Sequence, residues 1–234
     1  MYDNQLVRSV TSEVNPFSAW RIFVAGVLLS LCLPWAAQAQ TCGQPSASLA
    51  PVVDEFFTRP VVFDWQGEFQ QDDDICFQSR QSGATLRAYL LAPADIDSRD
   101  DASLPVVVIG PGRGSGQALF YLWSARALAG QGYLALAVDP QGAGRSDVAG
   151  DPESCGADGC PGIPYQDANN FVDAFASALD FVESGDHPWL TKADVTRIGV
   201  AGHSLSARAA GFLQGEDERI DALVAWDNLS SDLH

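Results

Sequence analysis

Basic side chains are scarce in this chain. Its 234 residues include 13 lysines and arginines against 30 aspartates and glutamates, which leaves a net charge of −17. Such a surface repels phosphate backbones and anionic lipid head groups, so the composition argues against nucleic acid and membrane surfaces as partners. The acidic tracts, such as residues 72–74, are most simply solvated loops. A calcium site is the alternative, but no loop alternates oxygen ligands with a turn glycine at EF-hand spacing.

Long hydrophobic runs are also missing. The apolar run Ile22–Leu33 spans 12 residues, which is too few to cross a bilayer comfortably. Two arginines precede it, and Ala37–Ala39 forms a small-x-small cleavage site, a pattern typical of an export signal. We predict a signal peptide over residues 1–39, a mature chain that begins near Gln40, and a secreted or periplasmic location without a membrane span after cleavage. An uncleaved anchor is the alternative.

Cysteine is sparse as well, with five residues in the chain. Cys32 leaves with the predicted signal peptide, and an even number of cysteines in an oxidising compartment favours two disulfides. Cys155 and Cys160 enclose the flexible sequence Gly-Ala-Asp-Gly, so we predict that they pair locally. Cys42 and Cys76 then pair by elimination. A zinc site is the alternative, but the cysteines form no CxxC doublet and have no companion histidines.

Predicted strands and helices alternate along the chain. Apolar runs such as Leu104–Gly110 are expected for strands that are covered on both faces, and the helical segments repeat apolar residues along one face. The predicted strands are Val61–Trp65, Ile75–Ser79, Leu86–Ala92, Leu104–Gly110, Tyr133–Val138, Arg197–Ala201 and Ala222–Trp226; the predicted helices are Gln117–Gly130, Tyr165–Ser184 and one that follows Ser204. This order indicates an α/β fold with a mainly parallel sheet flanked by helices, in one domain over residues 40–234. The long irregular segment 141–164 is typical of a functional rim.

The most informative motif is Gly202-His203-Ser204-Leu205-Ser206. An apolar strand leads into it and a helix leaves it, so the sequence predicts a sharp strand-to-helix turn that exposes the hydroxyl of Ser204. Small residues are needed two positions before and two positions after the serine, because strand and helix nearly touch there. Gly202 meets this need, whereas Ser206 stands where the usual pattern has a second glycine.

Backbone N–H groups are predicted to stabilise the oxyanion that attack by a serine would create. Leu205 N–H is one candidate, because it lies at the amino end of the new helix. The second candidate is Arg113 N–H, in the glycine-rich segment after Leu104–Gly110, with Gly112 and Gly114 as neighbouring choices. A phosphate-binding loop is the other interpretation of this segment, but it lacks the lysine-serine/threonine ending and a full GxGxxG.

Three motifs in order resemble the α/β-hydrolase superfamily, and in particular its secreted esterases, lipases and dienelactone-hydrolase-like members. They are the PGRG segment at 111–114, the DxxGxGxS turn Asp139–Ser146, and the sequence RIGVAGHSLS at 197–206; the resemblance covers residues 61–234. It implies a serine–acid–histidine triad that hydrolyses a small-molecule carboxylic ester or related acyl bond, without metal or cofactor. Asp139 and Arg145 are expected to brace their turn, and a peptidase with the same triad is an alternative.

The sequence has no histidine at the position where the resemblance implies the general base for Ser204. The triad runs serine, acid, histidine along the chain, yet the only later histidine is His234, at the end of the sequence. His203 belongs to the strand-to-helix turn at residues 202–206, which we call the elbow, so its ring should pack or face outward. His187 enters the strand before Ser204 and is expected on the order of 20 Å from the hydroxyl, beyond hydrogen-bond reach. Asp227 follows the last strand and is a weaker candidate for the acid.

The last predicted strand, Ala222–Trp226, would expose a long apolar edge if the sheet stopped there. We therefore expect this sequence to be the amino-terminal part of a longer hydrolase that lacks the last strands, with the triad base and acid beyond residue 234. A short product without catalysis, used as a pseudohydrolase binding module, is the alternative.

Overall fold

Six strands form one mixed sheet in the computed structural model, which describes Cys42 and residues 68–113, 117–147 and 167–227. The strands are β1 (Phe69–Gln78), β2 (Thr85–Pro93), β3 (Leu104–Gly110), β4 (Leu134–Asp139), β5 (Ala193–His203) and β6 (Ile220–Trp226). Their order across the sheet is β1-β2-β4-β3-β5-β6. The predictions that lie outside the described residues are the signal peptide, the strand Val61–Trp65, residues 148–164 of the long irregular segment, the Cys155–Cys160 pair and the position of His234.

Strands β3 to β6 run parallel, whereas β2 is antiparallel to both β1 and β4. The predicted α/β class and mainly parallel sheet are thus confirmed, with an antiparallel hairpin at one edge. The connection between β1 and β2 is a short turn in which Ser79 N–H donates to Ala84 O at 2.8 Å and Gly83 adopts a φ of 69°. A turn of this length cannot make the crossover that parallel strands require.

In the part of the chain that the structure describes, three helices flank the sheet: α1 (Leu122–Ala129), α2 (Ala168–Ser184) and α3 (Leu205–Glu216). The helix predicted to start at Gln117 instead begins with a 3-10 turn, Ala118–Tyr121, before α1. The side chain of Asp167 caps α2 by accepting from Asn169 N–H, and Gly185 ends it with a φ of 67°. Within the described residues, no helix is both long enough and apolar enough to cross a bilayer.

Both faces of the central strands are buried, as their apolar composition predicts. On one face α2 and α3 cover the sheet, and Phe171 and Phe175 of α2 belong to the same buried cluster as Val108 of β3. On the other face α1 packs against β4 and β2, and its Leu122 and Ala125 belong to a second buried cluster that includes Ala135. Each large side chain buried in this way contributes about 1.5–3 kcal/mol. The packing holds the carboxyl ends of β3, β4, β5 and β6 at one edge of the sheet, where the candidate site lies.

Two strands begin well before their predicted first residues, β1 by six positions and β5 by four. β1 begins at Phe69 rather than Ile75, through a glutamine- and aspartate-rich stretch that pairs with β2 and has a register shift between Asp72 and Ile75. β5 begins at Ala193 rather than Arg197. The predicted disulfide between Cys42 and Cys76 is confirmed, with Cα atoms 5.8 Å apart. It attaches Cys42 to the outer strand of the sheet.

Candidate active site

Ser204 lies between the last residue of β5 and the first residue of α3. Its φ is 52° and its ψ is −112°, and only one other non-glycine residue in the described part of the chain has a positive φ. Such a conformation costs on the order of 1–3 kcal/mol and persists only where the surrounding structure imposes it. The predicted sharp turn with serine at its apex is therefore present.

The strand and the helix approach each other closely at this turn. A Cβ on Gly202 would lie 2.5 Å from the carbonyl carbon and oxygen of Ser206 and 2.7 Å from Ala207 N, all of them backbone atoms. Any larger residue at position 202 would therefore push α3 away from β5. This contact is the physical reason for a glycine two residues before Ser204.

Ser206 fits where the usual pattern has glycine because a second glycine faces it. A Cβ on Gly110, the last residue of β3, would lie 2.6 Å from Ser206 Oγ. The Ser206 side chain is 1% exposed, and its hydroxyl donates to Pro111 O at 2.5 Å. Sequence reasoning missed this role of Gly110, although a glycine at the end of an otherwise branched apolar strand is a signal for close approach.

The segment Pro111–Arg113 lies directly beside the elbow. β3 and β5 are neighbours in the sheet, with Gly110 opposite Gly202, and a Cβ on Gly112 would lie 2.5 Å from His203 Nδ1. The structure thus brings together the two segments that carry the predicted donors, Arg113 N–H and Leu205 N–H. Their role as an oxyanion hole stays a prediction.

Of the neighbouring choices for the second donor, Gly112 is already engaged. Its N–H donates to the hydroxyl of Tyr121 at 3.2 Å. Gly114 lies outside the described residues. Arg113, which is solvent-exposed, remains the preferred donor in this segment.

Tyr121 is a site residue that sequence reasoning missed. Its hydroxyl lies 2.8 Å from His203 Nδ1, and its ring stacks on Trp226 with ring centroids 6.2 Å apart. Burial raises the pKa of the Tyr121 phenol, while its bond with Gly112 acts in the opposite direction. The phenol is therefore protonated at neutral pH. The ring of His203 packs beside it, as predicted for a residue of the elbow.

His187 lies at the far edge of the sheet, as predicted. Its Nδ1 accepts from Trp189 N–H at 3.2 Å in the turn that precedes β5, and its Nε2 lies 3.2 Å from Asp72 Oδ2. Ala193 pairs with Leu104 and Gly202 pairs with Gly110, so six residues of β3 match the length of β5 between this turn and the elbow. That length is about 20 Å at strand spacing, in agreement with the prediction. Among the described residues, no side chain hydrogen-bonds to the Ser204 hydroxyl.

The turn after β4 is built around a buried carboxylate, Asp139. It accepts from Ala118 N–H at 2.7 Å and from Arg145 N–H at 3.3 Å. Burial raises its pKa to about 6, although the two amide donors and the Arg145 charge favour ionisation. The guanidinium of Arg145 lies 4.0 Å from the centre of the Tyr89 ring and donates to Ala88 O at 2.9 Å. The expectation that both residues brace the turn is confirmed.

Asp227 follows β6 at the same edge as Ser204. Trp226 pairs with His203, and Ser204 N–H donates to Trp226 O at 3.2 Å. Asp227 itself has a φ of 68°, the second positive value among non-glycine residues described. This placement agrees with the position expected for it, while its role as triad acid stays a prediction.

No protein-family model and no curated protein matches the sequence. Solved structures to which the chain is similar include a hypothetical protein from Pseudomonas aeruginosa (25% identity, TM-score 0.48) and the α/β hydrolase GrgF from Penicillium sp. sh18 (20%, 0.47), each aligned over 68% of this chain. An esterase from Pyrobaculum calidifontis is 22% identical over 66% of the chain, with a TM-score of 0.45. The chain spans 42%, 45% and 43% of these three structures, respectively.

Three features of the described residues identify the fold independently of these similarities. They are a sheet whose parallel strands are covered by helices on both faces, a strained serine between β5 and α3, and a glycine-containing segment after β3 that contacts this turn. The described part of the chain has the α/β-hydrolase fold, as its motifs predicted.

Proposed function

We propose that the protein is a serine hydrolase that cleaves carboxylic esters or related acyl bonds through an acyl-enzyme at Ser204. The observation that carries the proposal is the backbone of Ser204, held at a φ of 52° at the tip of a strand-to-helix turn. A serine in that strained position is suited to act as a nucleophile, because the turn presents its hydroxyl above the edge of the sheet. A purely structural turn would favour glycine or asparagine there.

The proposed chemistry begins with attack of Ser204 Oγ on the acyl carbon. The N–H groups of Leu205 and Arg113 then donate to the oxyanion of the tetrahedral intermediate, and each such donor is worth about 3–4 kcal/mol. The amino end of α3 adds a favourable electrostatic field for this negative charge. No step requires a metal or a cofactor.

A base must still take the proton of Ser204. Neither of the two histidines in the described ranges is placed for this: His203 bonds with Tyr121, and His187 lies at the opposite edge of the sheet. We place the base, and the acid that orients it, beyond residue 234, with Asp227 as the second candidate for the acid. Val224 on β6 is 50% exposed, as is common for a strand at the edge of the described sheet.

We also propose that the protein is exported and that the signal peptide over residues 1–39 is removed. The Cys42–Cys76 disulfide supports an oxidising compartment. Amino-terminal sequencing of exported protein should find Gln40 or a close neighbour. Material that still begins at Met1 would contradict the proposed cleavage.

The proposed function is tested with the natural full-length protein and a fluorophosphonate probe. We expect the probe to label Ser204, and we expect the variant Ser204→Ala to lose both labelling and hydrolysis of p-nitrophenyl esters. A matched control is Ser184→Ala, which removes a hydroxyl bonded to Phe181 O at the far end of α2. Full esterase activity in Ser204→Ala would overturn the proposal.

A pseudohydrolase that binds a ligand without turnover is the second candidate. The observation in its favour is that no base contacts Ser204 within the described residues. A folded full-length protein that resists the fluorophosphonate probe would support this function over hydrolysis.

A further inference from the structure

The peptide group between Pro111 and Gly112 is hydrogen-bonded at both of its polar ends. Ser206 Oγ donates to the carbonyl oxygen of Pro111 at 2.5 Å, and the N–H of Gly112 donates to the hydroxyl of Tyr121 at 3.2 Å. We propose that Ser206 and Tyr121 are positioning residues that fix this peptide and thereby direct the next N–H, that of Arg113, toward the oxyanion. This inference rests on the proposed hydrolase function.

The geometry of a peptide bond explains why two partners are needed. The C=O and N–H of one trans peptide are coplanar and point in opposite directions. The whole plane can still rotate about the ψ of Pro111 and the φ of Gly112, and glycine offers little steric resistance to such rotation. Bonds on opposite edges of the plane prevent that rotation, which leaves the ψ of Gly112 as the only torsion that still separates this fixed peptide from the N–H of Arg113.

The Ser206 bond depends on the departure from the usual elbow sequence. Glycine at this position would supply no hydroxyl, whereas Ser206 places one in the buried space above Gly110. A buried hydroxyl that lost its partner would cost about 1–3 kcal/mol, so this contact persists through turnover. It ties the first turn of α3 to the segment after β3.

The hydroxyl of Tyr121, which accepts from Gly112 N–H, is itself held in position by neighbouring side chains. The phenol oxygen accepts from Gly112 N–H and lies within hydrogen-bond distance of His203 Nδ1, at 2.8 Å. Stacking on Trp226 fixes the plane of the ring. Tyr121 therefore connects the proposed oxyanion segment to both β5 and β6.

The test compares Tyr121→Phe and Ser206→Ala in the natural full-length protein. Each variant removes one hydroxyl, and we expect kcat for a p-nitrophenyl ester to fall about tenfold. This is part of the 10²–10³-fold that complete loss of an oxyanion donor costs. KM should stay within about twofold, because the donor acts on the transition state rather than on bound substrate. The melting temperature should fall by only a few degrees, as expected for one lost hydrogen bond, and the larger change in kcat separates positioning from general destabilisation.

Matched controls remove equivalent hydroxyls far from Ser204. Tyr133→Phe changes a tyrosine just before β4, at the opposite edge of the sheet, and Ser184→Ala removes another serine bonded to a backbone carbonyl. Both controls should keep the kcat of the wild type. In the double variant of Tyr121 and Ser206, the two losses should not simply multiply, because both bonds act on one rigid group.

Two outcomes would overturn the inference while leaving the hydrolase function intact. One is a wild-type kcat in Tyr121→Phe and Ser206→Ala when Ser204→Ala is inactive. The other is unchanged hydrogen exchange of the Gly112 amide in Tyr121→Phe, measured by NMR, where we expect exchange to become at least about tenfold faster. A folded wild type that hydrolyses no ester and resists the probe would instead refute the proposed function itself.

Discussion

Replacement of Gly202 by alanine should displace Ser204 and lower the stability of the protein. The added Cβ would lie 2.5 Å from the backbone of Ser206, where ordinary carbon contacts begin near 3.5 Å. Backbone atoms cannot rotate away as a side chain can, so α3 must shift from β5 by about 1 Å. Overpacking of this kind costs about 1–3 kcal/mol of stability. A displacement of about 1 Å at a reacting group can cost on the order of 10²-fold in rate.

Two glycine-to-alanine controls isolate the steric effect. Gly199 lies on the same strand, and a Cβ there would find its nearest neighbour at an ordinary 3.6 Å, so Gly199→Ala should fold normally. Gly215 lies in α3 with nothing within 4 Å of an added Cβ. There alanine should stabilise the protein by about 0.5–1 kcal/mol through its higher helix propensity.

The assay for Gly202→Ala combines denaturant unfolding, followed by tryptophan fluorescence, with the rate of fluorophosphonate labelling at Ser204. We expect a lower unfolding midpoint and labelling slowed by about 100-fold. Labelling at the wild-type rate, together with a midpoint equal to that of Gly199→Ala, would refute the close-approach argument.

Two further predictions concern the supports of the site. Burial raises the pKa of Asp139 from 3.8 to about 6, so its carboxyl favours the folded state most when protonated, and that contribution is lost as pH rises through this range. Relative to Asp139→Asn, the unfolding free energy of the wild type should fall by about 3 kcal/mol between about pH 3.5 and pH 7; a difference that is independent of pH would contradict this. The Cys42–Cys76 disulfide links residues 34 positions apart. Replacing both cysteines with serine should lower the unfolding free energy by about 3–4 kcal/mol in urea titrations, and an unchanged value would show that the cross-link adds no stability.

The central strands could be predicted because burial on both faces leaves a local signature. Leu104–Gly110 has the same bounds in the sequence prediction and in the structure. The prediction for β1 is too short because four of its first five residues are polar; this stretch pairs with β2 through the backbone while its side chains remain at least partly exposed. An edge strand of this kind has no apolar pattern to reveal it.

The elbow was also a local signal, since the steric demand around Ser204 acts within four residues of sequence. Tyr121 carried no such signal. It is 82 positions from His203 along the chain, and only the packing of α1 beside the sheet brings the two together. The facing pair of Gly110 and Ser206 is equally non-local, with 95 positions between Ser206 and the carbonyl that it contacts.

That pair has a consequence for how related sequences should vary. The space above the end of β3 has room for one small side chain. Here the side chain of Ser206 fills it, and Gly110 leaves it open because glycine has no Cβ. Homologues that carry alanine at the position of Gly110 should therefore carry glycine at the position of Ser206. This covariation can be sought in an alignment of homologous sequences. It would identify the homologues that share this arrangement from their sequences alone.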